Sequence, residues 1–170
     1  SVNKNAYVIV DNCYGEFVDD IEPTNVGADL MAGSLIKNPG GSLAPTGGYI
    51  VGREELVEAS AMRLTTPGIG GECGATMGNN RLLYQGFFMA PHIVAQALKT
   101  AAFCARMMEL MGYKSFPHSS ASRSDIIQVV ELGTPDGLVK FCRGIQSAAP
   151  VDSFVSPEPW AMPGYNDPVV

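Results

Sequence analysis

The feature of this sequence best suited to chemistry is a lysine without charged company. Lys37 lies in Ala32-Gly33-Ser34-Leu35-Ile36-Lys37-Asn38-Pro39-Gly40-Gly41, with no other charged side chain within five residues on either side. A lysine amine becomes a nucleophile when desolvation or neighbouring positive charge lowers its ammonium pKa. Most lysines instead lie on charged surfaces with the ammonium in water, and an exposed turn is the plainer reading of this one. Asp11 shifts that balance. It follows the apolar run Ala6-Tyr7-Val8-Ile9-Val10, twenty-six positions before Lys37, and a carboxylate stabilises a positive charge brought near it. Ser34 adds a hydroxyl that can bond an anionic oxygen, although a serine there serves equally well as a turn residue.

An amine, an acid and a hydroxyl are groups that pyridoxal phosphate uses. The lysine meets its aldehyde, and an acidic partner keeps the pyridine nitrogen protonated so that the ring acts as an electron sink. Other chemistry finds less support. Cys13, Cys73, Cys104 and Cys142 include no C-x-x-C pair, and only His92 and His118 could join them. Zinc spacing is absent and no metal ligand is assigned; the cysteines read as reduced, mostly core thiols. The glycine-rich stretch 67–78 reads as a loop. It is a poor dinucleotide site, because the third glycine of G-x-G-x-x-G falls on Cys73 and no strand runs directly into Gly68.

The chain has 170 residues and a net charge of −6. That charge repels phosphate backbones and anionic lipid, so nucleic acid and membrane surfaces are not expected as partners. No apolar run approaches the roughly 20 residues of a membrane-spanning helix, and a cytoplasmic location is expected. The sequence falls within six residues into an apolar run and closes on Asp167-Pro168-Val169-Val170, the beginning of another. This pattern favours a segment of a longer polypeptide over a self-sufficient domain.

The elements that must position these groups follow from the pattern. Ala6 to Val10 reads as a strand buried on both faces of a parallel sheet, which puts Asp11 at its carboxyl end, the edge where open α/β sheets bind ligands. A second short segment, Ala28 to Ala32, leads through Gly33 and Ser34 to Lys37, and Gly48 to Val51 reads as another strand, followed by a helix-favouring stretch from Arg53 to Met62. From about Leu82 to Met111 apolar residues recur at helical spacing (Phe87, Val94, Leu98, Ala101, Ala105, Met108). Pro91 kinks that helix or starts its main part, Met107, Met108 and Met111 serve as core filler, and Gly112 caps its end. Asp125 to Leu132 reads as a strand. Thr134 and Pro135 then start a helix to Ser147, as N-cap and first helical residue.

At this point the residues resemble a known family. Val8-Ile9-Val10-Asp11-Asn12, Gly33-Ser34-Leu35-Ile36-Lys37, Pro39-Gly40-Gly41 and Gly47-Gly48-Tyr49-Ile50-Val51-Gly52 resemble the pyridoxal-phosphate enzymes of cysteine and methionine metabolism. Asp11-Asn12-Cys13-Tyr14-Gly15-Glu16-Phe17, with Leu43-Ala44-Pro45-Thr46-Gly47-Gly48 and Arg63-Leu64-Thr65-Thr66-Pro67-Gly68-Ile69-Gly70, resembles the branch called methionine γ-lyase-like or aluminium-resistance proteins. The resemblance implies an α/β chain that is part of a type I pyridoxal-phosphate transferase fold. Residues 1–80 would be the end of the large parallel-sheet domain, 81–112 a long connecting helix, and 113–170 much of a small α+β domain. It also implies pyridoxal 5′-phosphate as cofactor, with Lys37 as the Schiff-base lysine, Asp11 as partner of the ring nitrogen and Ser34 as a phosphate contact. The implied activity is carbon–sulfur elimination from a small amino acid such as methionine, cystathionine or cysteine, in a homo-oligomer, dimer or tetramer. Arg63 and Arg123 are candidates for the substrate carboxylate on chemistry alone, since a guanidinium fork suits it. An aminotransferase or other pyridoxal-phosphate reaction uses the same lysine and aspartate, and a catalytically incomplete binding or structural module is the reading from outside enzymology.

Overall fold

The computed structural model describes residues 3–72, 74 and 76–170. Its first sheet has three strands, β1 (Ile9–Asp11), β2 (Leu30–Ser34) and β3 (Gly48–Gly52), in the order β1-β2-β3. β1 and β2 are parallel, with Ile9 opposite Leu30 and Asp11 opposite Ala32. β3 returns antiparallel, with Met31 opposite Val51 and Ser34 opposite Gly48. The sheet is therefore mixed. Residues 35–47, between β2 and β3, form the turn around Lys37 and one 3₁₀ turn, Asn38–Gly40, and contain no crossover helix of the kind a parallel return needs.

The first strand departs from its expected burial. β2 is its one partner strand among the described residues, and Tyr7, Val8 and Ile9 are exposed, Ile9 by 65%. An apolar run reports what a strand can bury; whether anything covers it is decided by other elements. Leu30 and Met31 of the central strand are the sheet's buried residues. Helix α1 (Glu54–Leu64) follows β3 directly. Glu54 and Glu55 lie in its first turn and Arg63 in its last, each suited to the helix dipole there. Arg53 ties this start to the sheet through Asp29, at 3.2 Å.

Helix α2 (Asn80–Leu110) continues through Pro91. Gly86, Ala90, Val94, Ala101, Ala105 and Met108 form its buried stripe, at the expected helical spacing. Phe87, expected inside, is exposed, as are Met107 and Met111, so of the methionine cluster only Met108 fills the core. Met107 is turned about 100° from that stripe. The helix ends as expected of Gly112, whose backbone is left-handed (φ +89°). Gly112 N–H donates to Glu109 O at 3.0 Å and Tyr113 N–H to Met108 O at 2.9 Å, which satisfies the last carbonyls.

A small antiparallel pair follows, β4 (Lys114–Phe116) with β5 (Val129–Glu131). The expected strand from Asp125 is shortened, because polar side chains capture its backbone. Asp125 Oδ1 accepts from Ile127 N–H at 2.8 Å, and Gln128 Nε2 donates to the carbonyls of Phe116 and Pro117. Helix α3 (Pro135–Ser147) starts as read, with Thr134 Oγ1 accepting from Gly137 N–H at 3.0 Å. The described cysteines Cys13, Cys104 and Cys142 are free and half-buried rather than core; Cys73 lies outside the described residues. No described helix is long and apolar enough to cross a membrane.

Two contacts fix the sheet and the β4–β5 unit against α2. The 3₁₀ turn after Lys37 meets α2 backbone to backbone. A Cβ at Gly86 would lie 2.1 Å from Gly40 O, and one at Gly41 (φ +51°) 2.1 Å from Gly86 O. At the other end Glu109 accepts from Ser119 Oγ and N–H at 2.6 and 2.8 Å and from Ser115 Oγ at 2.7 Å, with His118 Nε2 3.4 Å away. Led by the Ser119 hydroxyl, these donors hold the Glu109 carboxyl down at about 2, against an ordinary 4.5.

Two outcomes are expected. Gly86→Ala improves helix propensity by about 1 kcal/mol, but its methyl must displace the Gly40 carbonyl, and denaturant unfolding should show a net loss of about 1–3 kcal/mol. Glu109 is a depressed carboxylate, so its contribution to stability is complete above 4.5 and lost as pH falls through about 2. Acid-denaturation profiles of Glu109→Gln should be flatter than wild type across that window.

Candidate active site

The parallel register brings three of the predicted residues to one edge. Asp11 ends β1 opposite Ala32, and two residues farther along β2 Ser34 opens the turn that carries Lys37. That turn is closed by Lys37 N–H to Ser34 O at 3.3 Å and Gly40 N–H to Lys37 O at 3.0 Å. Ser34 Oγ accepts from Ile36 N–H at 3.2 Å. It therefore serves the turn, and its own hydroxyl hydrogen remains able to donate.

Asp11 feels the charge of Lys37. The Cys13 N–H, which donates to Asp11 Oδ1 at 3.1 Å, is the largest influence holding the Asp11 carboxyl below its ordinary value; the Cys13 thiol and the Lys37 charge act in the same direction. Lys37 is half-buried, with Nζ 4.3 Å from the centre of the Tyr14 ring. Its titration corrects the sequence expectation. Burial pulls the ammonium down, but bonding to the Cys13 and Tyr14 side chains outweighs it, and the net direction is upward from 10.5. A glycine-rich, uncharged neighbourhood along the chain is thus not an uncharged neighbourhood in space.

Tyr14 is a site residue that pattern reading passed over. Its backbone is left-handed (φ +75°), a conformation costly for a residue with a Cβ and one that clusters at functional sites. It is held by Ile126 N–H donating to Tyr14 O at 3.2 Å. Tyr14, Lys37 and Asn38 line a cleft of about 360 Å³, walled by Ile93 and Val94 of α2 and by Ile126.

Glu16 was also missed. It is buried, with Oε1 accepting from the Tyr49 hydroxyl at 2.7 Å and its backbone carbonyl accepting from Asn38 Nδ2 at 3.0 Å. Burial first, and then Glu16, push the Tyr49 phenol well above its ordinary value. Gly33 leaves the room this requires, since a Cβ there would lie 2.5 Å from Glu16 Oε1. Nothing in the chain marks such a residue, because its partners come from other strands and turns. The string Asp11-Asn12-Cys13-Tyr14-Gly15-Glu16-Phe17 carried it only as part of a resemblance.

The two candidate arginines lie elsewhere. Arg63 is exposed at the end of α1, on a groove shared with Tyr7, Leu30 and Ile50. Arg123 donates through Nη1 to Ile127 O at 3.2 Å and through Nη2 to Gln128 Oε1, so its fork is engaged in shaping the approach to β5. Neither lines the Lys37 cleft. Among the described residues there is no group of three or more His, Cys, Asp or Glu side chains that could hold a metal ion.

Comparison with known proteins bears on this arrangement. The family model described as methionine gamma-lyase matches residues 1–170. The chain is 54% identical over 169 residues to YnbB of Bacillus subtilis, an uncharacterized protein, covering 99% of this chain and 40% of that one. A solved structure from Clostridium novyi, named a carbon-sulfur lyase involved in aluminum resistance, is 56% identical and superimposes with a TM-score of 0.89 over 94% of this chain and 38% of that one. A structure from Clostridium acetobutylicum, named as a candidate cystathionine beta-lyase involved in aluminum resistance, is 57% identical with a TM-score of 0.89, again over 94% and 38%. The chain thus spans about 40% of the length of these relatives.

The coupling at Lys37 is directly measurable. A raised lysine contributes stability that is complete below 10.5 and is lost as pH rises through its folded value. Tyr14→Phe keeps the ring beneath the ammonium and removes the hydroxyl. Competitive acylation read on the Lys37 peptide should show its titration moving down toward 10.5, and Tyr14→Leu should move it further.

Proposed function

This chain belongs to the methionine gamma-lyase family, and on that premise we propose that it carries the lysine-bearing part of the active site of a pyridoxal-phosphate-dependent carbon–sulfur lyase acting on a sulfur amino acid. In this reading the chain is part of a type I pyridoxal-phosphate fold. The observation that carries the proposal is the meeting of Asp11 with the Ser34–Lys37 turn at the shared carboxyl edge of two parallel strands, beside a cleft of about 360 Å³. The name of the Clostridium novyi relative supports the reaction class.

The donor set fits the cofactor. Lys37 offers the amine for its aldehyde, Asp11 an ionised carboxylate for the ring nitrogen, and the Ser34 hydroxyl a donor for phosphate oxygen. When bound, pyridoxal phosphate supplies an electron sink that stabilises the carbanion left by loss of the α-proton. The residues supply the rest. Asp11 stays ionised, because the Cys13 amide and thiol and the Lys37 charge favour its anion, and an anion there preserves a positive ring nitrogen. Lys37 carries a transferable proton at Nζ. With the Tyr14 hydroxyl as neighbour, Nζ as the neutral amine would take a proton from one substrate carbon and, as the resulting ammonium, give it to a second carbon or to the departing sulfur. Ile93, Val94 and Ile126 keep one side of the cleft apolar, which strengthens these charge interactions. Assembly as a homo-oligomer is part of this reading.

Borohydride reduction after incubation with pyridoxal phosphate should leave a pyridoxyl mass on the Lys37 peptide, absent in Lys37→Ala. Release of ammonia, thiol and 2-oxo acid from a sulfur amino acid should fall at least about a hundredfold in that variant. Amino-group transfer without thiol release would favour an aminotransferase. A colourless protein with no adduct at Lys37 would sink the enzymatic reading.

A further inference from the structure

The Lys37 turn is tied to the loop after β1 by a side chain that has no place in the reaction. Asn38 is 6% exposed, and its Nδ2 donates to the Glu16 carbonyl at 3.0 Å. The two ends of this bond belong to the two segments that must meet. On one side are Asp11, Cys13 and Tyr14, all within six residues before Glu16; on the other is Lys37, one residue before Asn38. Glu16 cannot follow a drifting turn. Its carboxylate is fixed by the Tyr49 hydroxyl of β3 and sits over Gly33 of β2, where a Cβ would meet it at 2.5 Å. Pro39 and Gly40 stiffen the far side of the turn, Gly40 by its backbone contact with Gly86. What remains adjustable is the separation between Lys37 and the Asp11–Tyr14 loop, and the Asn38 bond spans that separation.

We propose that Asn38 is a positioning residue whose amide, anchored on the Glu16 backbone carbonyl, sets the place of the Lys37 amine relative to Asp11, Cys13 and Tyr14. Its relevance to catalysis rests on the reading of Lys37 as the cofactor lysine; its geometry does not. The bond needs a donor at position 38 and only the main chain at position 16. Asn38→Leu keeps a buried side chain and removes the donor without adding charge, Asn38→Ala removes both side chain and donor, and Glu16→Gln keeps the carbonyl and an acceptor for Tyr49. The groups whose charge reports on Nζ are Asp11, Cys13 and Tyr14; the α2 residues Ile93, Val94 and Ala97 facing the same cleft are uncharged.

The test is competitive acylation with acetic anhydride across pH, read as the mass of the Lys37 peptide against an added free amino acid. Both Asn38 variants should bring Lys37 down toward the titration of an ordinary lysine and make it several-fold more reactive at pH 8, while Glu16→Gln behaves as wild type. Unchanged Lys37 profiles in both Asn38 variants would overturn the proposal, as would an equal shift in Glu16→Gln. If the variants do not fold, deuterium exchange in the wild-type protein decides: slow exchange of the Asn38 side-chain amide supports the tether, and free exchange overturns it. Borohydride trapping separates this proposal from the one it rests on. Capture of pyridoxal phosphate at Lys37 that slows on the order of tenfold in Asn38→Leu supports both. No capture in wild type removes the lyase reading, and the acylation profiles still decide the tether.

Discussion

The parallel pairing of β1 with β2 is the constraint on which the site depends. It brings together stretches twenty-one residues apart, Ile9 with Leu30, and makes both strands leave the sheet at the same edge. Asp11 at the end of β1 then leads into a loop carrying Cys13 and Tyr14, and Ser34 at the end of β2 leads into the turn carrying Lys37. An antiparallel pair would send these segments to opposite ends of the sheet. The convergence of an acid and an amine is a consequence of strand direction, which is why ligands gather at the carboxyl ends of parallel strands.

Strand direction alone leaves the turn free to tilt, and the structure removes that freedom mainly through backbone contact. Gly40 and Gly41 lie against Gly86 so closely that no Cβ fits on either side. A contact of this kind is rigid because it contains no rotatable atom, whereas the ammonium over the Tyr14 ring depends on a four-carbon stem. The magnitudes point the same way. A cation over an exposed or half-buried ring contributes about 0.5–2 kcal/mol, while a buried carbonyl stripped of its donor costs about 1–3 kcal/mol. The Asn38 bond and the glycine seat therefore decide where the turn sits, and the lysine takes its orientation from them.

What the sequence made legible was local. Lys37 stood out through the absence of charge beside it, α2 through its long period, and α3 through Thr134 and Pro135, all read within one or two helical turns. The parts that escaped depend on which segments meet. The exposure of Ile9 is decided by what covers β1, and the early end of the 125–132 strand by Asp125 and Gln128 capturing backbone groups. Arg123 offered the right fork for a carboxylate, but its neighbours Ile127 and Gln128 take that fork. Glu16, Tyr14 and Asn38 lacked any period or motif of their own; each acquires its role from a partner on another segment.

The raised titration of Lys37 is the hardest of these to reconcile with a reactive amine, and the same geometry supplies the reconciliation. The Asp11 carboxylate feels the Lys37 charge, while the Cys13 and Tyr14 side chains are what raise the ammonium. A positive ring nitrogen seated at Asp11 would be a second cation drawing on one anion. It would take up the attraction that favours the ammonium and repel Nζ in addition, and both effects lower the lysine's pKa. On the proposed reading, a ring nitrogen at Asp11 would thus ease the proton from an amine that Cys13 and Tyr14 hold charged in the protein alone.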